Sequence, residues 1–343
     1  VLPIRIYAAV AFLAMASGSI PSTRAASAVV KREFIFEPGL VPTNHSSTIV
    51  ETIDGLLAGW FGGPRARDPL NSIYSVRYDG TNWSKPVKIL EGGTGSTRHQ
   101  CWNPVLFQPS RGPLLLFYKV GPSPEEWWGM LTTSTNAGQS WTMPRRLPNG
   151  FVGPVRNKPI ELPDGSLLCG ASVEQDGWRV HIERTFAAGE RWEKTGPLND
   201  PAEIAAIQPT ILLHENSSLQ ILCRTKQGFI AESWSRDTGK SWSTLTLTRL
   251  PNPNGAIDAV RIRDGRFLLV HNANATERNV LNLSVSQDGQ HWVPELVLEE
   301  GSGEFSYPAI IQTSDGLVHI TYSWNRQRIR HVVVDPRKLT AGR

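Results

Sequence analysis

The sequence predicts an all-β protein, a ring of six four-stranded antiparallel blades closed by the chain's N-terminal strand. Two repeats and one absence lead there. A turn-like segment ending in tryptophan recurs: YDGTNW at Trp83, STNAGQSW at Trp141, TFAAGERW at Trp192, SRDTGKSW at Trp242 and SQDGQHW at Trp292. The tryptophans lie 58, 51, 50 and 50 residues apart, a period in the range of solenoids and radial repeats. A second unit, an apolar strand, a tight turn and another apolar strand, keeps the same beat, and helical periodicity sustained over ten residues is absent from residue 29 onward.

The second unit reads STIVETIDGLLAGWF, NPVLFQPSRGPLLLFYK, NKPIELPDGSLLCGAS, QPTILLHENSSLQILCRT, DAVRIRDGRFLLVHN and YPAIIQTSDGLVHITYSW. Each copy is rich in Val, Ile, Leu, Phe and Tyr around Asp-Gly or another turn former, the pattern of a β-hairpin. Two hairpins per period give four strands, the content of one propeller blade. The last copy ends in RIRHVVVD with no Trp-bearing turn after it, while KREFIFE near the start has no hairpin partner. Pairing the two closes the ring and removes exposed sheet edges.

Ahead of the repeats, Arg5 precedes an apolar run over residues 6–16 and then Ala26-Ser27-Ala28, the layout of a secretory signal peptide over residues 1–28. That run is too short to span a bilayer, and no later stretch is long enough either. The expectation is a secreted or periplasmic protein whose single domain covers residues 29–343. Without the leader, Lys+Arg falls from 35 to 33 against 31 acids, too even a balance for nucleic-acid binding by bulk charge. Cys101, Cys169 and Cys223 are an odd number, two of them in apolar runs, and read as buried free thiols. Their spacing suggests no metal site, and no cofactor is expected.

These residues resemble the sialidase (neuraminidase) superfamily, whose Asp-box follows S-x-D-x-G-x-[ST]-W. SRDTGKSW matches at every specified position, and STNAGQSW substitutes Asn136 for the acid. The box has its own physical account. Asp or Asn hydrogen-bonds its own turn, Gly supplies a positive φ, and Trp packs between sheets.

The resemblance implies an exo-acting hydrolase that removes a terminal carboxylated sugar from a glycan, with arginines on the carboxylate, a tyrosine nucleophile and an acid/base aspartate. Tyr307, eight residues before Asp315 in GEFSYPAIIQTSDG, falls at the tyrosine's place; Arg224 and Arg278 fall at two of the arginines; Asp68 is the one acid in GGPRARDPLNSIYSV, the loop expected to carry the aspartate. Two departures stand out. His45 occupies the position of the first arginine, and Gln208 that of the glutamate that activates the tyrosine. Glu304 and Glu174 are available acids, while Arg156, Lys158 and Arg98 could restore positive charge. His99 and Trp102, in TRHQCWNP, are equally well placed, and adjacent Trp127 and Trp128 offer a sugar-stacking surface. Histidine, tyrosine and arginine together also fit a uronate-directed lyase, with His99 or His45 as base, Tyr307 or Tyr118 as acid and Arg224 neutralising the carboxylate. A non-catalytic glycan-binding propeller is the third possibility.

Overall fold

The computed structural model describes residues 28–39 and 41–340; the expected signal peptide lies outside the described residues apart from Ala28, which is buried in the core of the last blade. Six four-stranded antiparallel sheets follow one another along the chain. Blade 1 takes residues 43–90, blade 2 100–146, blade 3 160–195, blade 4 206–251 and blade 5 258–300. Blade 6 takes three strands from 305–334, and Val29–Phe34 pairs with Arg328–Val334 as its outer strand, so the predicted closure is present. The innermost strands of blades 1 and 6 are also in contact. Among the described residues, no helix is long and apolar enough to cross a membrane.

The core lies between the faces of neighbouring sheets. Leu168, Val180 and Ile182 of blade 3 pack on Ile211, Leu219 and Ile221 of blade 4, and blades 5 and 6 meet through Leu268, Leu281, Ile310 and Ile320. Alternation along the strands sends one set of side chains into each such layer. The three cysteines are free and buried, as expected.

The Trp-bearing turns join the third and fourth strands of a blade and are locked by their own polar groups. In blade 4, Asp237 accepts hydrogen bonds from the amides of Lys240 and Ser241, Ser235 accepts from the Gly239 amide, and the Trp242 indole donates to the Gly239 carbonyl at 3.1 Å. Gly239 has φ +86°, and an added Cβ would sit 2.9 Å from Leu168 in the preceding blade. The turn therefore fastens one blade to the one before it.

At the opposite end the inner strands carry a second repeated device. In blades 1, 2, 4 and 6 two residues of the inner strand oppose one of the second strand, a β-bulge at 46–47, 103–104, 208–209 and 307–308. The first residue of each bulge is left-handed: Ser46 (φ +57°), Asn103 (+40°), Gln208 (+56°) and Tyr307 (+56°). Arg156 adopts the same conformation (φ +80°) just ahead of the inner strand of blade 3. Bulges redirect side chains, and a bulky residue with positive φ costs of order 1–3 kcal/mol that the surrounding fold must hold in place.

Candidate active site

These bulges open onto a cavity of about 380 Å³, near the lower end of the small-molecule range. Its floor includes His45, Gln208 and Tyr307 from the inner strands. Its walls come from the second strand of blade 4 (Arg224) and from turns between second and third strands: Arg67 and Asn71 in blade 1, Trp127 in blade 2, Glu174 and Trp178 in blade 3, Arg278 in blade 5 and Arg326 in blade 6.

Tyr307 is the hub. Arg224 donates to its phenol oxygen at 3.0 Å and to Gln208 Oε1 at 3.3 Å. The guanidiniums of Arg156, Arg224 and Arg278 lie 5.5, 5.6 and 5.9 Å from the centre of its ring. Burial opposes ionisation of the phenol, but the charges of Arg224 and Arg278, the Arg224 hydrogen bond and the charge of Arg326 outweigh it, so its pKa falls below the ordinary phenol value.

Behind the arginines stands Glu304. It accepts from Arg278 at 3.2 Å, from Arg326 through two contacts of 2.8 and 3.1 Å, and from the Ser306 hydroxyl at 2.7 Å. Burial would raise its pKa, but the Arg326 hydrogen bond and charge, with Ser306 and His45, hold it at about 2. Glu304 is a fixed carboxylate that aims two guanidiniums.

His45 packs on Tyr307 with ring centroids 4.0 Å apart. Its Nδ1 meets the Ser323 hydroxyl at 3.0 Å, and its buried Nε2 has no hydrogen-bond partner. Burial first, then the charge of Arg326, opposed by Glu304 and reinforced by Arg278 and Arg156, puts its pKa well below the ordinary imidazole value. A neutral ring thus stands where the family resemblance implied a cation.

Of the expected site residues, Tyr307, Arg224, Arg278, His45, Gln208, Glu174 and Trp102 line one cavity. Six others do not. Asp68 serves its own loop, accepting from Arg65 Nε and the Leu70 amide at 2.9 Å each, so it is not placed as an acid/base. Arg98 braces that loop through the carbonyls of Pro69 and Leu70 and pairs with Glu91. His99 stands edge-on to Trp128, away from the cavity. Arg156 is buried beneath Tyr307 and donates to the Pro308 carbonyl, while Lys158 bonds Asp258 at 2.9 and 3.0 Å; both tie blades together across the axis. Glu304 acts through the arginines. Tyr118, the other acid of the lyase alternative, is buried in an apolar cluster.

The sequence reading missed Arg326, Trp178, Asn71 and Arg67. Trp178 carries Arg224 and Lys226 over its ring at 5.1 and 4.7 Å, which fixes the guanidinium that meets Tyr307. The available signal was topological: in a four-stranded meander the second turn returns to the same end as the start of the first strand. DGW and NRQR, in those turns, were therefore bound for the mouth.

Fold and site together define a six-bladed β-propeller with a basic, tyrosine-centred cavity. The family profile described as "BNR repeat-like domain" matches residues 54–320, and the chain belongs to that family. Among solved structures, a Dyadobacter fermentans protein of unknown function is similar over 90% of this chain and 98% of its own, at 16% identity and TM-score 0.75. The NanB sialidase of Streptococcus pneumoniae is similar over 90% of this chain and 71% of its own, at 13% identity and TM-score 0.74. The Trypanosoma rangeli sialidase is similar over 90% of this chain and 60% of its own, at 15% identity and TM-score 0.72. Identities this low speak for the fold. Among curated proteins none matches the sequence.

Proposed function

We propose that the protein is an exported, retaining glycoside hydrolase that removes a terminal acidic sugar of the sialic acid kind from glycans. One arrangement carries this: Arg224, Arg278 and Arg326 gather around the Tyr307 phenol inside a cavity large enough for one sugar. The guanidiniums bind the sugar carboxylate. A carboxylate nucleophile would be repelled by an anionic sugar, and a phenol is not. Tyr307 gives its proton to water and attacks the anomeric carbon. The glycosidic C–O bond breaks, and the departing oxygen takes up a proton. Water then displaces Tyr307 from the anomeric carbon, and two inversions give net retention.

The test is release of free sugar acid from a fluorogenic sialoside and from the matching glycosides of other carboxylated sugars. Turnover of at least one, abolished in Tyr307→Phe, is expected; no release from any of them would overturn the assignment.

His45 favours a second reading. A neutral imidazole against Tyr307, with Nε2 unpaired, could take the proton beside a uronate carboxylate while Tyr307 protonates the leaving oxygen. Elimination leaves a conjugated double bond, so an ultraviolet absorbance rise with acidic polysaccharides, without free sugar acid, would replace hydrolysis by lysis.

A further inference from the structure

The attack of Tyr307 leaves a proton to be delivered, and the loop expected to supply an acid supplies none: Asp68 is bound to Arg65 and the Leu70 amide, and its neighbours on the cavity wall are Ala66 and Arg67. Across the cavity, the turn after the second strand of blade 3 brings in Glu174, the only carboxylate among the lining residues. We propose, resting on the hydrolase assignment above, that Glu174 is the acid/base residue, donating a proton to the glycosidic oxygen and then taking one from the water that releases the sugar from Tyr307.

Three observations meet at this residue. Glu174 shares the cavity lining with Tyr307 and with Arg224, whose guanidinium holds the Tyr307 oxygen at 3.0 Å. Trp178, four residues on in the same turn, lines the cavity with Glu174, as do Trp127 and Pro124 on blade 2. Burial, aided by the charge of Glu125 and opposed by Arg224, Lys226 and Trp178, raises the Glu174 pKa above the ordinary carboxyl value. Glu304, the other acid near Tyr307, is held ionised by Arg326 and Arg278 and has no proton to give. Two carboxyls pushed in opposite directions by their surroundings separate the proton donor from the fixed anion.

The balance is simple. In the first step the carbon–oxygen bond to the aglycone breaks, a bond to Tyr307 Oη forms, and the Glu174 proton goes to the aglycone oxygen. In the second, Glu174 as carboxylate takes a proton from water while the water oxygen replaces Tyr307, which departs as phenolate and recovers from solvent the proton it lost in the first step.

The test compares Glu174→Gln with the wild type on two glycosides of the same acidic sugar, one with a nitrophenyl leaving group and one with an ordinary sugar alcohol. A nitrophenolate departs without help. Glu174→Gln is expected to lose about 10²–10⁴-fold on the alcohol glycoside and far less in the first step on the nitrophenyl glycoside, and to lose the alkaline fall of the pH–rate profile. Azide, which needs no base, should accelerate the variant on the nitrophenyl glycoside and yield a glycosyl azide. If the wild type turns over both but the variant slows both equally, keeps its alkaline limb and gains nothing from azide, Glu174 is not the acid/base and the hydrolase assignment stands. If the wild type releases neither leaving group, the hydrolase assignment falls and the role of Glu174 falls with it.

Discussion

The two ends of the propeller use the same backbone device for opposite purposes. At the Trp-bearing turns, left-handed residues such as Thr238 and Gly239 curl the chain so that Ser235 and Asp237 are consumed by neighbouring amides. At the mouth, left-handed Gln208 and Tyr307 turn their side chains into an open cavity. There His45 Nε2, Asn71 Oδ1, Trp127 Nε1 and Arg224 Nε are buried without a partner. Strain at one end secures the ring; at the other it holds a site ready.

That contrast can be broken by mutation. Tyr307→Phe should lower kcat/KM at least about 10³-fold while leaving the melting temperature close to that of the wild type. A comparable loss of stability would make the tyrosine structural. Arg224→Ala should cost about 10–100-fold, and steady-state kinetics on acidic and uncharged glycosides should confine the loss to the acidic one. In Glu304→Gln the two arginines lose their shared anchor, and KM should rise about tenfold; unchanged KM would separate Arg278 and Arg326 from carboxylate binding. At the other end, Gly239→Ala places a Cβ 2.9 Å from Leu168 at a φ of +86°. It should cost about 1–2 kcal/mol in chemical denaturation and leave kcat/KM unchanged.

Much of the scaffold could be read from the chain, because blade architecture is written in repeats. The spacing of Trp141, Trp192, Trp242 and Trp292 set the blade phase, and the orphan KREFIFE announced the closure that Val29–Phe34 makes. The site was legible only in part. Tyr307, Arg224 and His45 are reached through the family resemblance, and all three line the cavity. Arg156 and Lys158 share that neighbourhood, yet point below the cavity to Pro308 and Asp258. A bulge sets side-chain direction residue by residue, and the hydrophobic pattern does not encode it. Arg326 lies in a tight turn with φ +53°, and only the packing of blade 6 brings it to Glu304. Asp68 looked free because sequence does not show that Arg65 and the Leu70 amide already hold it.

The most direct measurement is to trap the intermediate. Incubation with a fluorinated sialyl fluoride, whose ring fluorine slows the second step, followed by mass mapping of the digested protein, should find the sugar on the peptide that contains Tyr307, and no adduct in Tyr307→Phe. Sugar attached to any other residue, or steady release of the sugar acid with no adduct at Tyr307, would contradict a tyrosine nucleophile held among three arginines.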